Sequence, residues 1–287
     1  MDFSIIVPTY NRPQLLADCL GALARLDYAR DRFEVVVVDD GGSTPLDGVI
    51  AGFRAAVDIT LLTVANAGPA AARNVGARRA RGAYLAFTDD DCRPAAGWLS
   101  ALGARAGAAP GAMVGGRTLN ALPDNLCSVL SQAVIDVVYS HYNADPDHSR
   151  FFTTNNLTVP ADRFRALRGF DPAFTTAEDR DLCERWLSGG GRLVYAPDAL
   201  VRHAHALTVG GLWRQHFGYG RGAYRFHRTR VLYGRKSFKI APAFYRDLVF
   251  YPYARGNLRR AVALTGLLAV QQVANLTGFL AEMFRRS

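Results

Sequence analysis

Phe3–Pro8 (FSIIVP) is a near-continuous apolar run, and about thirty residues later Phe33–Val38 (FEVVVV) repeats it. Runs rich in β-branched residues and without polar alternation mark strands buried on both faces. Ile59–Ala65 (ITLLTVA) and Ala83–Thr88 (AYLAFT) read the same way. Between them Pro13–Leu26, Pro45–Ala56 and Pro69–Arg81 read as helices, each with Pro at its first position, where a missing N–H costs nothing. Strand and helix alternating in this way predict βαβ units and a Rossmann-like, mostly parallel α/β sheet with flanking helices. In such sheets ligands gather at the carboxyl ends of the strands.

Those ends carry polar residues of a consistent kind. The first strand runs into Pro8-Thr9-Tyr10-Asn11-Arg12 and the second into Asp39-Asp40-Gly41-Gly42-Ser43. The third leads through Asn66-Ala67-Gly68-Pro69 to Arg73-Asn74, and the fourth into Asp89-Asp90-Asp91. Five carboxylates at one sheet edge repel one another, and an oxygen-coordinated divalent cation, Mn²⁺ or Mg²⁺, is the expected relief. Asp and Gly after a strand are ordinary turn residues, which accounts for Asp39–Gly42 but poorly for three successive Asp. No Gly-x-Gly-x-x-Gly follows the first strand and no Gly-x-x-x-x-Gly-Lys occurs, so neither a dinucleotide nor a P-loop nucleotide is expected. Phosphates are then expected on metal and Arg.

These stretches resemble the family 2 glycosyltransferases of GT-A fold, from about Asp2 to His205. The pieces are IIVPTYNR (Ile5–Arg12), VVVDDGGS (Val36–Ser43), GPAAARNVG (Gly68–Gly76) and FTDDDCRP (Phe87–Pro94). TTNNLTV (Thr153–Val159), GFDPAF (Gly169–Phe174), AEDRDLCERW (Ala177–Trp186) and YAPDALVRH (Tyr195–His203) follow in order. The resemblance implies an inverting, metal-dependent transfer from a nucleotide-sugar, a UDP-sugar above all, to a hydroxyl on a glycan or lipid-linked acceptor. It places Pro8, Thr9, Tyr10, Arg12, Asp39, Asp40, Arg73, Asp89 and Asp90 on the donor. Asp89 and Asp91 match the outer members of the DXD motif, with Asp90 between them as a support. Asp91 implies the metal ligand, with His203 as its partner and His205 as the alternative. In an extended segment both histidines face one side. Asp179 takes the place of the general base and Glu178 lies beside it on the acceptor side. Glu178-Asp179 precedes the apolar positions Leu182, Trp186 and Leu187, so the pair is expected at a helix start, where the anionic carboxylate is favoured. The Gln-x-x-Arg-Trp signature of the family's processive members is absent; the chain has Leu212-Trp213-Arg214-Gln215-His216, which implies single transfer. Trp213 and His216 are placed on the acceptor side.

A chain of 287 residues, 49% hydrophobic, accommodates a catalytic domain and an appendage. The division expected is 1–206 for the catalytic domain, with 1–94 the nucleotide half and 95–206 the acceptor half, and 207–287 for the extension. Four dispersed cysteines without CxxC spacing argue against a disulfide framework or a zinc site. With no basic, cleavable leader at the start, a cytosolic catalytic domain is expected.

The net charge of +9 is uneven, for residues 199–260 hold 13 Lys and Arg against one acid, Asp247. Phe217, Tyr219, Tyr224, Phe226, Tyr233, Phe238, Phe244 and Tyr245 interleave with them. Nucleic-acid phosphates or an anionic membrane would satisfy such a block. After it comes the largely apolar Ala261–Phe284, long enough to span a bilayer. Its polar residues Thr265, Gln271, Gln272, Asn275 and Glu282 fall within about one third of a helical wheel. That pattern suits an interfacial or packed helix better than an isolated span. The expectation is therefore peripheral attachment to an anionic membrane on the cytosolic side, without nucleic acid. Two other functions share parts of this pattern. A sugar-phosphate nucleotidyltransferase would open with a Gly-rich loop after the first strand, and a non-catalytic binding subunit would not need the full carboxylate set.

Overall fold

A computed structural model describes residues 1–232, 242–254 and 257–285. The first elements are β1 (Phe3–Thr9), α1 (Pro13–Leu23), β2 (Phe33–Asp39), α2 (Asp47–Ala51), β3 (Ile59–Thr63) and α3 (Pro69–Arg79). β4 (Tyr84–Phe87), β5 (Cys92–Pro94), α4 (Trp98–Ala108), β6 (Met113–Asn120) and α5 (Leu126–Tyr142) follow. Then come β7 (Leu157–Pro160), α6 (Ala161–Ala166), α7 (Glu178–Ser188) and β8 (Leu193–His203). Three helices end the chain: α8 (Val209–Leu232), α9 (Pro242–Ala254) and α10 (Leu258–Arg285).

One eight-stranded sheet runs in the order β3-β2-β1-β4-β7-β6-β8-β5. β1 and β2 each bury all seven of their residues, as near-continuous apolar runs lead one to expect. They pair in parallel from Phe3↔Phe33 to Thr9↔Asp39, so those two polar residues end at the same edge. β4 flanks β1 in parallel, Ile6 opposite Phe87, which brings Thr88 and the Asp run to that edge too. α3 lies close on β1 because Gly76 has no side chain; a Cβ there would meet Ile6 Cγ2 at 2.6 Å. Beyond β4 the direction reverses: β7 pairs antiparallel with β4 and with β6, and β5 antiparallel with β8.

Some expected bounds differ. α2 begins at Asp47, so Pro45 precedes it rather than opening it, and only five residues are helical. α1 stops at Leu23 and α3 at Arg79. The backbone N–H of Arg81 turns away from the helix to donate to Glu34 Oε1. β3 is the outer strand of the parallel half, and its residues Thr60–Leu62 are only half-buried, unlike a strand covered on both faces.

The chain divides into two compact units. The first holds residues 1–119, 145–173 and 178–204, which is the sheet and its helices. The second holds residues 120–144, 174–177 and 205–287. Thus α5, inside the segment expected to be catalytic, packs with the C-terminal helices. Its Leu130 and Val137 share an apolar cluster with Leu212, Leu248, Leu264 and Leu268. Asn125 caps α5 by accepting from Ser128 N at 2.9 Å, and its Nδ2 donates to Leu207 O at 3.0 Å.

Candidate active site at the carboxyl edge of the sheet

The Asp run after β4 meets the ends of β1, β5 and β8. Thr9 Oγ1 donates to Asp90 Oδ2 at 2.7 Å, and Arg12 grips the same carboxylate through Nε at 3.0 Å and Nη2 at 2.6 Å. Asp90 is fully buried, and that burial raises its carboxyl to about 6 in spite of Arg12 and Thr9. Arg12 Nη1 continues to Asp91 Oδ2 at 3.2 Å. The relief expected from a cation alone is thus partly supplied by arginine.

The opposite oxygen of Asp91 faces His203 Nε2 at 3.2 Å. This contact follows from strand pairing, since Cys92 on β5 stands directly opposite His203 on β8. Burial pulls the His203 pKa down, but the bond to Asp91 and its charge outweigh that and raise it. Ligand atoms of Asp91, Cys92 and His203 lie within 4.8 Å of one another. Burial pushes the Cys92 thiol well above its ordinary range, so it stays neutral. His205 lies past the end of β8, in coil, where the alternation that made the two histidines equivalent no longer holds.

On the other side Arg73, buried on α3, joins two carboxylates. Its Nη2 donates to Asp89 Oδ1 at 2.6 Å and its Nη1 to Glu178 Oε1 at 3.0 Å. Its Nε is buried with no hydrogen-bond partner among the described residues. Neighbouring Asn74 clamps the chain that leads to α7, accepting from Phe170 N at 2.9 Å and donating to Phe170 O at 2.7 Å. Glu178 and Asp179 open α7, as expected. Directly before them Ala177 holds φ +70°, a left-handed conformation costing a non-Gly residue about 1–3 kcal/mol. At this helix start the backbone N–H groups favour the anionic pair, as expected, but burial opposes them. Burial, then the charge of Asp179, raises Glu178 to about 7 against Arg73. Burial also raises Asp179, against the opposing charge of Arg180. Loss of water outweighs the helix terminus here.

Asp39 and Asp40 are buried; Asp39 is answered within its own loop and Asp40 by the loop after β3. Asp39 Oδ1 accepts from Gly42 N at 2.9 Å, and the two oxygens of Asp40 accept from Ala67 N and Gly68 N, both at 2.9 Å. Pro8 is buried at the end of β1, while Tyr10 stands exposed beyond it. Asn11 ties the loops after β1 and β2 together by accepting from Ser43 N at 2.7 Å. Asn11 and Cys92 have no place in the expected site; only their adjacency to Arg12 and Asp91 pointed to them. Trp213 is exposed on α8, in the second unit. His216, also expected on the acceptor side, is buried in that unit with Nδ1 3.3 Å from Gln271 Nε2. Burial lowers its pKa to about 4.

Residues 4–164 match the family described as Glycosyl transferase family 2. The glycosyltransferase AglE of Haloferax volcanii is 25% identical over 240 residues, 83% of this chain and 78% of that protein. The validoxylamine A glucosyltransferase of Streptomyces hygroscopicus subsp. jinggangensis is 34% identical over 200 residues, 60% of this chain. This alignment takes in less than half of that relative, 47%. Among solved structures, the mannosyltransferase PcManGT from Pyrobaculum calidifontis, in complex with GDP-Man and Mn²⁺, superposes with a TM-score of 0.66 at 19% identity. That match covers 99% of this chain and 88% of PcManGT.

Proposed function

The chain belongs to glycosyl transferase family 2 and is a glycosyltransferase with the GT-A fold, and we propose that it moves a sugar from a nucleoside diphosphate to a hydroxyl acceptor with inversion at the anomeric carbon. One observation carries this reading: Arg73 bridges Asp89, in the Asp run, to Glu178, beside Asp179. A single guanidinium thereby ties the donor side of the chemistry to a carboxylate pair able to take a proton. Its unpartnered Nε suits an anionic ligand, because a buried donor left unsatisfied is costly.

Thr9, Asp39 and Asp40, at the ends of β1 and β2, are assigned to the nucleoside, with Pro8, Tyr10 and Arg12 shaping the same pocket. Arg73 and Asp89 face the phosphate and ribose side, and Asp90 holds Thr9 and Arg12 in place. A divalent metal fits the donor set of Asp91 and His203: a carboxylate and an imidazole suit Mn²⁺, whereas the neutral thiol of Cys92 offers a hard cation little. When bound, the metal would supply Lewis-acid stabilisation of charge on the departing diphosphate. Asp179 accepts the proton of the acceptor hydroxyl as that oxygen attacks the anomeric carbon. The sugar–phosphate bond breaks with its electron pair going to the diphosphate. One base and one displacement invert the centre. UDP is the nucleotide favoured by the resemblance, and PcManGT, solved with GDP-Man, keeps GDP in the test beside it.

Calorimetric titration of UDP and GDP with and without Mn²⁺, into the protein and into Asp91→Asn, is the test. Binding strengthened by metal in the parent and not in the variant is expected. Unchanged metal-dependent affinity in the variant would remove Asp91 from the site.

A further inference from the structure

The C-terminal helix is turned inside out relative to a helix of a soluble bundle. α10 has 28 residues and a mean hydropathy of 1.3 over its most apolar window, with 28% of that window buried. Its polar residues point into the protein: Gln271 and Glu282 are buried, and Thr265, Gln272 and Asn275 are half-buried. Glu282, 1% exposed, accepts from Arg221 Nε at 2.8 Å and from Arg225 Nε at 2.7 Å, both on α8. What faces outward is apolar. Val262 (57% exposed), Ala269, Val273, Leu276 (59%), Leu280 and Phe284 (72%) recur at helical spacing along one stripe. From residue 262 to residue 284 no exposed position of α10 carries a polar side chain.

The orientation is locked by close approach. A Cβ on Gly278 would stand 2.0 Å from Phe217 O, and one on Gly220 would stand 2.0 Å from Asn275 O. α8 and α10 therefore meet backbone to backbone along this seam, and α10 cannot roll to hide its stripe. α9 adds Tyr245, Val249 and Tyr253 at four-residue steps, with Phe250 63% exposed beside them. Of the large apolar side chains exposed among the described residues, all but Met1 and Tyr10 belong to the second unit.

We propose that the outward stripe of α10, with the aromatic residues of α9, is a lipid-facing surface that lies in the plane of an anionic bilayer. Charge decides the occupant. Arg259 and Arg260 precede the stripe and Arg285 ends it, all exposed, and Glu282, the acid of α10, is buried on the far side. A second copy laid on this face, parallel or antiparallel, would bring cation against cation, whereas anionic headgroups complement both ends. A transmembrane orientation is disfavoured because α8 is bound along α10 and carries Arg214, Arg221, Arg225, Arg228 and Arg230. Tyr side chains suit the headgroup level. Arg235, Lys236, Lys239 and Arg255 of the basic block, with Tyr233 and Phe238, lie outside the described residues. The proposal is independent of the transfer chemistry, since it concerns binding alone.

Flotation of the full-length protein on phosphatidylglycerol-containing and on neutral phosphatidylcholine vesicles tests it. Leu276→Gln/Leu280→Gln alters only exposed positions and adds no charge, and circular dichroism checks its fold. The parent should float with anionic vesicles at low salt, and the double variant should bind at least about tenfold more weakly. Phe284→Trp should be quenched by brominated lipid. A parent that ignores anionic vesicles overturns the proposal. So does a parent dimer that the double variant dissociates, which assigns the stripe to a second copy. Resistance to alkaline carbonate extraction overturns the in-plane placement in favour of a span.

Discussion

Both units bury carboxylates against arginine, yet the carboxylates behave in opposite ways. In the C-terminal unit Glu282 receives two guanidiniums, and hydrogen bonds from Arg225 and then Arg221 hold its carboxyl down at about 2. At the sheet edge Arg73 is shared between Asp89 and Glu178, and Arg12 between Asp90 and Asp91. There burial prevails, leaving Asp90 at about 6 and Glu178 at about 7. A buried acid with surplus cations is a fastener. A buried group of acids with too few cations still has affinity for protons, and perturbation in that direction is what acid–base chemistry near neutral pH needs.

Substitutions in the two units should therefore separate chemistry from stability. Asp179→Asn is expected to lower transfer by ~10²–10⁴-fold, the usual contribution of a general base, with donor affinity within about threefold. Single-turnover rates and nucleotide titration measure the two effects. Equal losses in both would make Asp179 a donor or structural residue, and a product with retained anomeric configuration would exclude the displacement altogether. Glu282→Gln should do the reverse. It should weaken the C-terminal helices by roughly 3 kcal/mol, the low end for breaking a buried ion pair, because Arg221 keeps a third of its side chain in water. Hydrogen exchange of α8 and α10 amides reads that loss, while nucleotide affinity should not change. A loss under about 0.5 kcal/mol would show that Glu282 does not fasten these helices.

The sheet edge was largely legible from the chain because β1 and β2 are near-continuous apolar runs with polar residues at their ends. β5 and β6 are another matter. Cys92–Pro94 is three residues long, and β6 carries Gly115-Gly116, so neither shows an apolar period. The choice between His203 and His205 rested on where β8 ends, and boundaries are what periodicity shows least well. The shift of Glu178 and Asp179 was hidden because it arises from burial by segments distant in sequence. On α10 the polar stripe is plain from the wheel, but its direction is not. Arg221 and Arg225, which draw Glu282 inward, lie 61 and 57 residues away.

The smallest expected effect is in pH, and it has opposite signs in the two units. Glu178 keeps a proton in the folded protein up to about 7, whereas the unfolded chain releases it near 4.5. Between those values the folded state binds the extra proton, so this group's contribution to stability falls as pH rises. Glu282 is depressed: its contribution is present above about 4.5 and disappears as pH falls through about 2. For catalysis the Glu178–Asp179 pair must be deprotonated, so kcat/KM should rise with pH along a limb centred near 7. Between pH 6 and pH 8 the change is about tenfold, and the value belongs to the pair rather than to either residue. Glu178→Gln removes a like charge from beside Asp179 while the charge of Arg73, which lowers the Asp179 pKa, remains, so the limb should move to lower pH. A kcat/KM profile of both proteins on a saturable acceptor checks this. An unmoved limb would mean that another group titrates, and the raised affinity of the pair would then have no role in transfer.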